Sequence, residues 1–182
     1  MSVQPASTLV STFPETLDDH KHNLQITREA FLEELAKPHG EPHAGRWSAL
    51  EIAYHVHIIE RGVVRGLQKK LASLEKPAPP ALQDEIRGQW RHNHAGFINR
   101  AIKLTAPDAV LPLNPPSMED VLTLLAESRS GLLTVIDSSS YDELAAVTMP
   151  HPIFGRMNGQ LWLDMVAQHE ARHIEQMQEL RL

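Results

Sequence analysis

No cysteine occurs among the 182 residues. That absence removes disulfide frameworks, thiolate zinc sites and any catalytic thiol belonging to the chain itself. Thiol chemistry would need a thiol from outside. Lysine and arginine form no cluster, and the formal net charge is -6. Since binding to a nucleic-acid backbone rests on cationic groups displacing counterions, no nucleic-acid partner is expected. Met1 to Phe13 show no positive region followed by an apolar run, and no stretch approaches the ~18 apolar residues of a membrane span. The reading is a soluble cytoplasmic protein with no membrane partner. A chain of this length fits one domain, residues 1–182, and can bury a core without staples, so a metal would serve a site more than the fold.

A convincing run of strand-like alternation is also missing, whereas four segments carry helical periodicity, which predicts an all-α fold. The first helix is expected from Glu15 to Ala36, with Leu17, His20, Leu24, Phe31 and Leu35 on one stripe, ended by Lys37-Pro38-His39-Gly40. Ser48-Ala49-Leu50-Glu51 reads as a capping box opening the second, which can run to about Leu74 with Ile52, Val56, Ile59, Val63 and Leu71 inward. The third starts at Ser117 and closes at Ser138-Ser139-Ser140. The fourth is capped by Asn158 and carries Trp162, Met165, Val166, His169, His173, Gln176 and Met177 along one side. Between the second and third helices lies a long connection, proline-rich at both ends, with a short helix from Leu82 to Lys103. It is long for a turn. Such a connection can cross the end of a bundle and let consecutive helices run parallel.

His169-Glu170-Ala171-Arg172-His173 spells H-E-x-x-H. Imidazoles at i and i+4 differ by about 40° in azimuth and ~6 Å in rise, so both can converge on one cation. The spacing alone leaves two readings, paired ligands or partly buried histidines bonded to neighbouring side chains. A metalloprotease of this signature takes its third ligand downstream, yet Ile174 to Leu182 contain neither histidine nor aspartate. The third ligand is therefore sought upstream. His55, three residues after Ile52 and four before Ile59, flanks the inward face of the second helix, while His57 points nearly the opposite way. Three inward histidines would be costly in an apolar interior unless a cation organised them. Glu170 reads as a general base under the protease hypothesis and otherwise as an ordinary exposed helix carboxylate. Glu51 is explained by the capping box, and Trp47 and Trp162 read as core anchors.

Other histidines carry less. His92 and His94 stand at i and i+2, which diverge on a helix, so their segment is expected at a solvated rim, from where Arg91 or His92 could reach a substrate. His20 lies on an apolar stripe. His22, His39, His43 and His57 read as surface, and His151, before a proline, as structural.

Trp47-Ser48-x-x-Glu51-x-x-x-His55, followed by His151-Pro152-Ile153-Phe154-Gly155 and Trp162-x6-His169-Glu170-Ala171-Arg172-His173-Ile174-Glu175-Gln176, resembles the DinB/YfiT superfamily over essentially the whole chain. The resemblance implies a four-helix bundle with a long crossover connection between the second and third helices. It also implies a divalent metal, commonly nickel or zinc, held by three histidines that map onto His55, His169 and His173. Despite the name, no DNA chemistry is implied.

Three neutral imidazoles would leave positions open for water or substrate, as in catalytic sites. Within the superfamily, resemblance implies transferases and isomerases that use a low-molecular-weight thiol, and hydrolases of small substrates. The expected function is thus a metal-dependent enzyme acting on a small molecule through a thiol or water. The alternatives are a non-enzymatic metal-binding stress-response protein and a bundle that works as a structural homodimer.

Overall fold

The computed structural model of the chain describes residues 6–76, 78, 80, 82–98 and 104–181. The four long helices form where the apolar periodicity lies, and each begins at a side-chain cap. Thr16 caps α1 (Leu17–Leu35) and Ser48 caps α2 (Ala49–Ala72), in both cases through reciprocal bonds, with Asp19 and Glu51 respectively. Glu51 therefore has its local role: its Oε2 accepts from Ser48 N at 2.8 Å. α3 (Gln83–Ile98) occupies the connection, and the expected helix beyond it, residues 99–103, lies outside the described residues. Ser117 caps α4 (Met118–Asp137), a short α5 (Tyr141–Ala146) follows, and Asn158 caps α6 (Gly159–Gln178).

Pairwise contacts fix the helix directions. Arg28 bonds Glu170 and Gly40 N donates to Leu180 O, so α1 and α6 run parallel. His57 meets Leu124 and Gly131 lies against Val64, so α2 and α4 are parallel too. Lys21 pairs with Asp137 while Arg28 reaches the Leu125 carbonyl, which sets α1 antiparallel to α4. His55 meets His169 and Leu67 lies against Gly159, so α2 opposes α6. The result is an up-down-down-up bundle. Two parallel helices in sequence need a chain crossing the full length of the bundle, and residues 73–117 make that crossing. α3 climbs along α6 on the way, with Trp90 donating to Asp164 and Arg172 to the Phe97 carbonyl.

Phe31, Leu24, Ile52, Leu67, Leu125, Leu132, Ile136, Leu163 and Met177 are buried between the four long helices. The all-α four-helix expectation holds, and the structure adds one small element to it. β1 (Thr148–His151) and β2 (Gly155–Asn158) form an antiparallel hairpin, with Thr148 opposite Asn158. Each strand is four residues, too short to display alternation, and Pro150 inside β1 disguises it further. The tight reversal depends on Gly155, whose φ of +70° is costly for a residue with a Cβ. Among the described residues no helix is long and apolar enough to cross a membrane.

Candidate metal centre

His55 stands in the second turn of α2, and His169 and His173 stand one turn apart near the end of α6. Antiparallel packing of these two helices brings all three to the same end of the bundle. His169 Nε2 lies 3.1 Å from His55 Nε2 and 3.0 Å from His173 Nε2. All three candidate donor atoms fall within 4.8 Å of one another.

The far edge of two rings determines what their Nε2 atoms offer. His55 Nδ1 is 2.8 Å from the Val110 carbonyl, which can only accept, so that nitrogen carries the proton. His173 Nδ1 likewise donates to Gln176 Oε1 at 2.8 Å. Both Nε2 atoms are then lone pairs aimed at His169. A proton on His169 Nε2 can satisfy one of them and not the other, whereas a cation satisfies every lone pair at once. The donor set therefore fits a metal ion, with carbonyl and amide partners orienting the rings as outer partners of metal-binding histidines do.

Burial disfavours the charged forms of His55 and His169. Burial lowers the pKa of His55 against the opposing pull of its Val110 bond. His169 is held well below the ordinary histidine value by burial first, then by the neighbouring His173, His55, Arg172 and His151. Trp47 covers the cluster, its ring centroid 4.7 Å from that of His55 and 6.4 Å from that of His173. It packs on the histidine rings themselves.

Glu170 corrects the sequence reading. It is fully buried, not exposed, and belongs to a charge network beneath the histidines. Arg28 Nε donates to Glu170 Oε1 at 2.6 Å, Thr27 Oγ1 donates to Oε2 at 2.9 Å, and Arg129 Nη2 lies 2.9 Å from the same oxygen. Glu60 completes the set, accepting from Arg28 Nη2 at 2.7 Å, Arg129 Nε at 2.6 Å and Ser128 Oγ at 2.6 Å. Two guanidinium groups and two carboxylates balance across four helices. Burial pushes Glu60 up, but Arg129 and Arg28 outweigh it and hold its pKa below the ordinary value. With three partners and no open face, Glu170 is a structural carboxylate rather than a base.

The remaining histidines divide. His57 is 4% exposed, where the sequence suggested surface, because the side of α2 away from His55 is covered by α4; its Nδ1 donates to Leu124 O at 2.9 Å. His39 is also partly covered, with Nε2 3.7 Å from Glu34 Oε1, while His22 and His43 are exposed. His20 is 1% exposed and neither ring nitrogen has a partner among the described residues, and burial takes its pKa down to about 4. It lies near Tyr141, far from the three histidines. Arg91 and His92 are exposed on α3, and His94 stacks on Trp90 at 4.5 Å.

Two contributors escaped the sequence reading. The Val110 carbonyl comes from the crossover and leaves no side-chain signal. Gln176 had one, since i and i+3 face each other on a helix, which pairs it with His173.

A model of the DinB superfamily matches residues 24–177, a span that contains all three histidines. This chain belongs to the DinB superfamily. The DinB chain is 25% identical over 148 residues to the uncharacterized protein YuaE of Bacillus subtilis (strain 168), covering 78% of this chain and 81% of that protein. It also resembles TT2238, whose crystal structure is described as that of a four-helix bundle protein. That likeness has a TM-score of 0.56 and 26% identity, over 90% of this chain and 99% of the other. The four-helix bundle is thus shared with that structure at the level of fold.

Proposed function

We propose that this DinB protein is a divalent-metal-dependent enzyme in which His55, His169 and His173 hold the ion and a small external thiol is the nucleophile. The observation that carries the reading is the pair of fixed tautomers: His55 and His173 each commit Nδ1 as a donor and turn a lone pair to the centre. A divalent ion bound there supplies Lewis acidity, which lowers the pKa of a thiol or water brought to it. Nitrogen donors suit zinc, nickel, copper and iron alike. The protein's own residues orient the rings through Val110 and Gln176, pack Trp47 against two of them, and leave His169 partly exposed. Absence of cysteine means that the thiol comes as a cosubstrate, of the glutathione, bacillithiol or mycothiol class.

Passive metal storage would require no ligand-recognising groups beside the ion. Arg172 and His151 both lie within electrostatic reach of His169, which favours an enzyme. The test is metal analysis of untagged protein beside His169→Ala, followed by conjugation assays with the three thiols. Parent protein is expected to carry about one ion per chain and the variant none. Equal metal content would remove the site; a loaded protein that neither binds nor consumes any thiol would remove the transferase.

A further inference from the structure

α1 packs chiefly on α6 and α4 chiefly on α2, so the seam between α1 and α4 is held in a different way. Long side chains bridge it. Arg28 Nη1 donates to the Leu125 carbonyl at 2.7 Å, Arg129 Nη1 donates to the Leu24 carbonyl, and Lys21 Nζ pairs with Asp137 at 2.6 Å. Along this seam runs an open groove of about 610 Å³, walled by Leu32, Leu122, Leu125, Ala126 and Leu133, with the two buried arginines also lining it. It follows α4 from Leu122 to Asp137, ~22 Å or about four helical turns.

Large apolar side chains stand in solvent beside the groove. Leu32 is 38% exposed and Leu122 42%, and Met118, 36% exposed, precedes Leu122 by one turn. Among the described residues these are three of the seven large apolar side chains left exposed, so the exposure concentrates on one face. Apolar surface gathered in this way marks an interaction site, where a scattered leucine would not.

The charges on the rim have one sign. Exposed Asp18 and Glu29 fall within about 60° of azimuth of Leu32 on α1, and exposed Glu119 and Asp137 fall within about 60° of Leu122 on α4. Lys21 is the one cation in these sectors that is not buried, and it is already paired with Asp137 and Asp18. Arg28 and Arg129 are neutralised from below by Glu60 and Glu170. The groove is therefore apolar inside and acidic at its edges. A second copy docked on a two-fold axis would lay this patch on itself and set carboxylate against carboxylate.

We infer that the α1–α4 groove docks a basic amphipathic helix of a partner protein, about four turns long, with its apolar stripe on Leu32, Leu122 and Leu133 and its cations toward Asp18, Glu29 and Glu119. Such a helix meets both the walls and the rim. Apolar anchors supply the affinity, and the complementary charges select the partner and its orientation. The inference stands apart from the metal reading, since none of His55, His169 and His173 lines the groove.

The experiment uses full-length protein and fluorescein-labelled peptides of about 16 residues, the length of four turns or slightly more. One peptide sets leucines at helical spacing among lysines, a second sets the same leucines among glutamates, and a third scrambles the first. Fluorescence anisotropy is expected to show the amphipathic lysine peptide binding at least about tenfold more tightly than its scramble, and the glutamate peptide not binding. Leu32→Gln and Leu122→Gln change no charge and sit at exposed positions, so each should keep the parent Tm and lose about tenfold in affinity, the worth of one leucine anchor. Leu82→Gln, at a leucine 66% exposed outside the groove, should lose nothing. Equal binding of the peptide and its scramble reduces the effect to charge attraction and overturns the inference. An affinity that survives both Leu32→Gln and Leu122→Gln, or a parent that binds no peptide, overturns it as well. Sedimentation that finds a parent dimer dispersed by Leu122→Gln assigns the face to a second copy and overturns it too.

Discussion

Replacing Glu170 by glutamine should cost stability and leave metal content unchanged. Glu170 takes two hydrogen bonds and a further ion pair, from Arg28, Thr27 and Arg129, and none of its surface is exposed. Without its charge, two buried guanidinium groups share the single carboxylate of Glu60. Removing one partner of a buried, hydrogen-bonded charge set costs roughly 3–5 kcal/mol, because the remaining charge stays desolvated. Against a total of about 5–15 kcal/mol this is a large fraction. With m of about 2 kcal/mol per M, the urea midpoint falls by roughly 1.5–2.5 M, and Tm falls by roughly 6–20 °C. The assay is urea unfolding followed by circular dichroism, in chelator, for the parent, Glu170→Gln, Arg129→Met and the double variant. The double variant leaves Arg28 with Glu60, a balanced pair, so it should lose at least about 1 kcal/mol less than the sum of the singles. A Glu170→Gln protein within about 1 kcal/mol of the parent, or strict additivity, would refute the network. The same network sets acid stability: Glu60 has a folded pKa below its ordinary 4.5, so its contribution is complete above that value and lost as pH falls through the lower one.

Gln176→Leu removes the acceptor of His173 Nδ1 and should weaken metal binding about 10–100-fold in a chelator competition; unchanged affinity would show that the tautomer does not depend on Gln176. Asp164, raised by burial from 3.8 to about 7 against the lowering bonds from Trp90 and Gln168, behaves oppositely to Glu60. Its stabilising contribution is full below pH 3.8 and lost as pH rises through about 7. Asp164→Asn should therefore gain Tm relative to the parent on going from pH 5 to pH 8.5, by an amount on the order of a few kcal/mol in stability. A pH-independent difference would place the proton elsewhere.

Much of the bundle was legible because helices announce themselves locally. Ser48 with Glu51 capped α2 as its spacing implied, and the azimuth of His55 relative to Ile52 and Ile59 turned it toward α6. The long proline-bounded connection correctly pointed to parallel α2 and α4, since a short turn could only have reversed the chain. The two four-residue strands carried too little pattern to be seen, and Pro150 argued against them.

Residue types and their spacing along the chain suffice to place the helices, to turn their apolar faces inward, and to put His169 and His173 on one face. What covers each face depends on how the helices pack. His57 was read correctly as opposite to His55, but α4 buries that side, so direction alone did not give exposure. Glu170 looked like a surface carboxylate because its compensating charges come from Arg28 and Arg129 on two other helices. The Val110 carbonyl that fixes the His55 tautomer belongs to the crossover and has no residue-type signal at all. Periodicity is a property of neighbours along the chain, whereas neutralising a buried charge or orienting a ring needs partners that only packing supplies.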